Sequence, residues 1–129
     1  GLQFGWHNHD FEFLPLEDGT YPIEAILEAA PSLVLELDLA WVAVAGGSPV
    51  EWIERYKNRI ISAHIKDHAP KGENLDEGGW ADVGHGVLDW DEISACLRAT
   101  GIGRFVLEHD NPKDGVRFAT RSYEKLITF

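Results

Sequence analysis

The sequence predicts an α/β protein built from four consecutive βα units around a parallel sheet. Three observations carry the prediction: apolar stretches of strand length, a polar loop after each of them, and then a stretch in which apolar residues recur at helical spacing. The strands are expected at about Leu2 to His9, Leu33 to Asp38, Arg59 to Lys66 and Arg104 to Asp110.

The helices carry start signals. Thr20-Tyr21-Pro22 opens the first, which runs to about Ala30, with proline where a helix N–H has no partner in any case. Ser48-Pro49-Val50-Glu51 combines a capping serine, a proline at the first helical position and a glutamate at the third, so reciprocal bonds to the backbone are available to a helix ending near Asn58. Asp89-Trp90-Asp91-Glu92 repeats that logic. Its helix presents Ile93, Cys96 and Leu97 at three-and-four spacing and stops near Gly101, a residue suited to the left-handed conformation of helix ends. Asp114 opens the last helix, with Val116, Ala119, Tyr123 and Ile127 as its expected buried face. The stretch from Asp67 to Leu88 is charged, rich in glycine and aperiodic; a loop that long inside a compact domain is more often functional than an idle surface excursion.

With 129 residues, 44% hydrophobic and 26% charged, the chain has the composition of one folded domain rather than of a disordered tail. Eleven Lys and Arg against 22 Asp and Glu leave a net charge of −11, whose field repels phosphate backbones and anionic membranes, so neither nucleic acid nor membrane is an expected partner. The single cysteine, Cys96, has no internal partner for a disulfide, no stretch approaches the roughly 20 apolar residues of a membrane span, and the N-terminus lacks a signal-peptide pattern. A cytoplasmic location is the expectation. The chain has no methionine and opens directly in an alternating apolar segment, which reads as a piece cut from a longer chain.

Side chains alternate across a strand, so His7 shares a face with His9, Asp38 with Glu36, His64 with Ser62 and Lys66, and Glu108 with Val106 and Asp110. In parallel α/β architectures the carboxyl ends of the strands form the site, because loops and helix N-termini converge there. His7, Asp38, His64 and Glu108 would then offer two nitrogen and two oxygen donors at equivalent heights. Such a set suits Mn²⁺, Zn²⁺, Co²⁺ or Fe²⁺ better than Ca²⁺, which takes all-oxygen shells.

Five segments, His7-Asn8-His9-Asp10-Phe11-Glu12-Phe13, Glu36-Leu37-Asp38-Leu39-Ala40-Trp41, His64-Ile65-Lys66-Asp67, Val83-Gly84-His85-Gly86-Val87-Leu88-Asp89-Trp90 and Leu107-Glu108-His109-Asp110, together resemble the sugar phosphate isomerase/epimerase family, whose fold is the xylose isomerase-like TIM barrel. The resemblance implies that this chain corresponds to the C-terminal half of the (β/α)8 barrel, strands five to eight. It also implies one divalent metal ion at the strand ends, Mn²⁺ first, with Zn²⁺, Co²⁺, Fe²⁺ or Mg²⁺ compatible. Asp38, His64 and Glu108 match three of the family's four ligands, and His7 stands where the epimerases carry glutamate.

The chemistry implied is removal of a proton next to the carbonyl of a sugar, sugar phosphate or keto-sugar, with the metal stabilising the enediolate. On this reading Glu108 is the base; His9, Glu12 or Lys66 returns a proton or assists a leaving hydroxyl; Trp41 and His85 touch the substrate. Epimerases of this type use two metal-bound glutamates, and here only Glu108 is present, so dehydration of an inosose or lysis of a keto-glycoside stands beside isomerisation and epimerisation. A non-catalytic reading also follows: a half-barrel exposes unpaired strand edges, so the chain is expected to self-associate or to need the missing N-terminal half, and alone it is an inactive fragment or a binding module. A metallonuclease of the AP-endonuclease type would share the barrel, but the charge of −11 disfavours it. Lys66 and Asp67 are expected to pair at the strand end, and His109 to be structural.

Overall fold

In the computed structural model, which describes residues 1–129, the chain runs through β1 (Gly5–His7), α1 (Pro22–Ala29), β2 (Val34–Asp38), α2 (Leu39–Val44), α3 (Pro49–Tyr56), β3 (Ile60–Ile65), β4 (Asp67–His68), β5 (Trp80–Ala81), α4 (Trp90–Thr100), β6 (Phe105–Leu107) and α5 (Gly115–Leu126). Strands β1, β2, β3 and β6 pair in that order, all parallel, as the four βα units require.

The capping signals act locally. The Ser48 hydroxyl accepts from Glu51 N at 3.3 Å, Asp89 accepts from Glu92 N at 3.0 Å, and Asp114 accepts from Val116 N and Arg117 N at 3.0 and 2.9 Å, so each helix start has donors satisfied by a side chain. Gly101 ends α4 at φ 76°.

Leu35 and Leu37 of β2 and Ala63 and Ile65 of β3 face the helices and join Ile23, Leu27, Ile53, Ile93 and Leu97 in the buried apolar cluster. The alternate residues Glu36, Asp38, Ser62 and His64 line the other face. Their alignment depends on an irregularity. Leu35 pairs with Ile60 but Glu36 with Ser62, so Ile61 is an extra residue in β3. Continued without that slip, the register would set Asp38 beside Ala63; with it, Asp38 stands beside His64.

Four features depart from the expectations. First, β1 and β6 are shorter, because a strand extends only as far as it has a partner. The β1 ladder begins where Val34 N donates to Phe4 O, leaving Leu2 and Phe4 exposed, and the β6 ladder ends where Glu108 N donates to Ile65 O. Second, α2 follows Asp38 directly, started by that side chain. Third, the long loop holds a small antiparallel ribbon, with Asp67 opposite Ala81 and His68 opposite Trp80.

Fourth, α5 is turned the other way. Val116, Tyr123 and Ile127 are 78%, 58% and 63% exposed, and the buried residue of this helix is Ser122, whose hydroxyl accepts from Val83 N at 3.0 Å. Polar ties set the rotation: Arg117 holds Glu77 and Asp82, Arg121 holds Asp82, and Lys125 holds Asp91, a row at four-residue spacing that faces the loop. No helix is long and apolar enough to cross a membrane.

Candidate metal centre

His7 closes β1, Asp38 closes β2, His64 lies next to the end of β3, and Glu108 follows β6. One ligand atom from each of these residues lies within 4.8 Å of all the others. The sequence-predicted quartet therefore meets at one point, at the carboxyl end of the sheet.

Asp38 shows how the backbone builds the site. Its Oδ1 accepts from Ala40 N and Trp41 N at 2.9 and 3.0 Å and starts α2, which leaves Oδ2 for other work. Its own backbone is clamped across the sheet by the Asn8 amide, which accepts from Asp38 N at 2.8 Å and donates to Asp38 O at 3.1 Å. Burial pushes the Asp38 carboxyl up to about 6, against the opposing pull of the helix N–H groups and Lys66. Burial and the neighbouring His64 lower the pKa of His7. Burial would raise Glu108, but its bond to His64 and the charge of Lys66 outweigh that and hold it below the usual carboxylate range.

The donor set can be tested against a cation on its own chemistry. His7 Nδ1 and Asp38 Oδ2 are buried and have no hydrogen-bond partner. A buried carboxylate oxygen without a partner is costly unless something positive lies beside it. His64 Nδ1 contacts Glu108 Oε2 and stands 4.0 Å from Asp38 Oδ2, so the two remaining donors converge on the same space. His7, Asp38, His64 and Glu108 are thus a group that could hold a divalent ion.

A second layer orients this set. The other ring nitrogen of His64, Nε2, lies 3.0 Å from Glu36 Oε1, and Ser62 Oγ donates to Glu36 Oε2 at 2.7 Å. A carboxylate on the far nitrogen of a ligating histidine sets its tautomer and raises its basicity. The Ser62 bond, more than the His64 bond, holds the Glu36 carboxyl below its ordinary range despite burial. Glu36 and Asn8 were absent from the expected site; the sequence signal for Glu36 was its position two residues before Asp38, on the same face. Glu36→Gln is expected to weaken Mn²⁺ binding about 10- to 100-fold with little change in unfolding temperature, which calorimetric titration beside thermal melting will check.

The remaining expected site residues divide. Lys66 is fully buried; its Nζ donates to Asp110 at 2.6 Å, stands 3.6 Å from Glu108 Oε1, and lies 4.0 and 4.9 Å from the ring centroids of Trp80 and Trp41. It therefore pairs with Asp110 and not with Asp67, because alternation sends the neighbouring side chain to the opposite side of the strand. Exposed His9 stacks on Phe11 and lies 5.3 Å from the His7 ring and 5.6 Å from Trp41, at the rim of the cluster. The structure does not bring Glu12 to the cluster: it is buried, and its oxygens accept from Trp6 Nε1 at 2.9 Å and His9 N at 2.8 Å. His85 is exposed and lines a separate polar hollow with Asp82, Arg117 and Arg121. His109 packs edge-on against Phe118, its Nδ1 accepting from Asn111 N at 3.2 Å.

Asp67 has a different task. Its Oδ1 accepts from the backbone N–H of His68, Val87 and Leu88, and its Oδ2 from Gly84 N, Gly86 N and Trp90 Nε1, at 2.9–3.2 Å. The loop before α4 is wrapped around one buried carboxylate, an anion nest made by the chain for itself. A Cβ at Gly86 would overlap Asp67 Oδ1 and His68 O. Gly86→Ala is expected to cost about 1–3 kcal/mol through this overpacking, read by denaturant unfolding.

No family profile matches the chain, and no curated protein matches it. Solved structures do. Two structures of a sugar phosphate isomerase/epimerase from Parabacteroides distasonis ATCC 8503 are 27% and 28% identical, with TM-scores of 0.73 and 0.75, over 98% of this chain and 45% of theirs. A xylose isomerase domain protein from Planctomyces limnophilus shares the fold alone, at 21% identity and a TM-score of 0.68, over 95% of this chain and 44% of its own. The chain thus spans rather less than half the length of the structures it matches. Four parallel strands with alternating helices, matched over nearly the whole chain, make it a partial xylose isomerase-like TIM barrel, similar to the sugar phosphate isomerase/epimerase proteins.

Proposed function

We propose that this chain carries the metal-binding part of a sugar isomerase or epimerase, which takes a proton from the carbon next to a carbonyl. The observation behind this reading is the quartet itself, His7, Asp38, His64 and Glu108, whose ligand atoms lie within 4.8 Å of one another at the strand ends with the buried Asp38 Oδ2 left unpartnered among them. The similarity to proteins described as sugar phosphate isomerase/epimerase supports the same class.

His7, Asp38, His64 and Glu108 would hold the ion, with Mn²⁺ the first choice for a mixed nitrogen and oxygen set. A divalent cation there would polarise the carbonyl oxygen and ease loss of the neighbouring proton. Glu108 takes that proton. Its Oε1 is turned toward Lys66, which keeps the carboxylate charged and aimed while its Oε2 faces the cluster. Lys66 is itself fixed by Asp110 and by two aromatic rings, so it positions Glu108 and stays out of bulk water. His9, exposed at the rim, is placed to return a proton to the product.

The test is exchange of solvent deuterium into a panel of keto-sugars by the Mn²⁺-loaded chain, with Glu108→Gln beside it. Exchange that needs Mn²⁺ and falls at least about 100-fold in Glu108→Gln is expected, the scale of losing a general base. Failure of the chain to take up Mn²⁺ at all would overturn the reading.

A further inference from the structure

Both outer strands of the four-stranded sheet have a free side: β1 pairs only with β2, and β6 only with β3. An edge left open in this way is a template for another strand. Beside β1 lies an apolar hollow of about 500 Å³, walled by Leu2, Phe4 and Trp6 along the strand and by Ile26, Ala30 and Leu33 from α1 and the turn into β2. Leu2 and Phe4 are exposed, so nothing in the chain covers this surface.

The opposite edge carries a ridge. On α5, Leu126 packs against the core, Arg117, Arg121 and Lys125 face the loop, and a third side, Val116, Tyr123 and Ile127 at seven- and four-residue spacing, stays exposed. The two features sit at one level. The ring of Phe129, just beyond α5, packs edge-on against Phe105 at the start of β6, so Tyr123 and Ile127 lie toward the amino end of the sheet. The hollow opens at that same end, since Leu2 and Phe4 precede β1 and Leu33 precedes β2. Charge has the matching polarity. Residues 1–32 carry six Asp and Glu and no Lys or Arg, whereas residues 98–129 carry six Lys and Arg against four Asp and Glu. Two β1 edges brought together would set acid against acid; a β1 edge against a β6 edge sets acid against base.

We propose that β1 of one copy pairs in parallel with β6 of a second copy, whose α5 lays Tyr123 and Ile127 in the hollow, and that the reciprocal junction closes an eight-stranded ring of two chains. Contacts between unlike edges either close into a ring or grow into a filament. Strand twist decides for the ring, because eight tilted parallel strands are enough to shut a barrel filled by its own side chains. Since every strand runs the same way, the two four-donor clusters open at one mouth, each built wholly by its own chain. Pairing of the edges requires no metal.

Sedimentation velocity of the full chain without added metal is expected to show a discrete dimer, twice 14.4 kDa. Tyr123→Glu on the ridge and Phe4→Glu in the hollow should each raise the dissociation constant at least about tenfold, because a charge is forced into an apolar contact. Both side chains are exposed in the single chain, so the variants keep its fold, which circular dichroism checks. Direction is read by thiol cross-linking in a Cys96→Ser background: Phe4→Cys mixed with Ile127→Cys should give a covalent pair, and neither should do so alone. A monomer at about 100 μM, too weak for a specific dimer, would overturn the pairing and leave both edges to a chain of other sequence. Unchanged dimerisation of the two folded glutamate variants would overturn it as well. An open-ended polymer would overturn the closed ring, and a cross-link between two Phe4→Cys chains would overturn the order of the edges.

Discussion

Replacing Asp67 by alanine is expected to lower the stability of the fold by about 3–5 kcal/mol, the scale of a buried charge whose partners are left behind. Six donors converge on this carboxylate, five from the backbone and one from Trp90. Water can reach those on the outer turn, near exposed Gly84 and Val87, but not the Trp90 indole, which is buried under the start of α4. The loss should appear as a fall in unfolding temperature of roughly 10–20 °C. Asp67→Asn should recover part of it, since one oxygen still accepts while the amide nitrogen faces donors. A change under about 1 kcal/mol in Asp67→Ala, typical of ordinary substitutions, would mean that the loop is held by something else.

Asp38→Asn should do the opposite: leave the fold intact and empty the centre. Asparagine keeps the oxygen that accepts from Ala40 N and Trp41 N, so the start of α2 survives. The amide N–H₂ takes the place of the buried, unpartnered Oδ2 and presents protons where a cation would sit. Mn²⁺ affinity is expected to fall at least about 100-fold by calorimetry, beyond the effect of losing an outer partner. The unfolding temperature without metal should hold or rise, because a neutral amide replaces a carboxylate whose burial, despite Lys66 and His64, pushes it up to about 6. Retained Mn²⁺ binding would exclude Asp38 from the ligand set.

The capping residues made most of the helices legible. Ser48, Asp89 and Asp114 are short-range signals, and each one caps the helix it announces. The gathering of His7, Asp38, His64 and Glu108 was legible for a related reason: in a parallel sheet, position at a strand end is enough to bring side chains together there. What escaped depends on long-range partners. The rotation of α5 is set by Glu77, Asp82 and Asp91, residues 34 to 40 positions away in sequence, so its apolar stripe pointed to the wrong face. Asp67 looked like a partner for Lys66 because they are neighbours, yet five of its six donors come from a loop 17 to 23 residues on. Glu36 was hidden because a carboxylate inside a strand reads as surface until Ser62 and His64 are seen beside it.

The irregularity in β3 makes tolerance of length changes sharply local. Loss of Ile61 would leave Ile60 beside Leu35 and Ser62 beside Glu36, merely smoothing the strand, and the centre would survive. Loss of Ala63, two positions on, would slide Ile65 into the place beside Asp38 and turn the imidazole of His64 toward the greasy side of the sheet. Within three residues, a single-codon deletion passes from harmless to fatal for the site without altering any of its side chains.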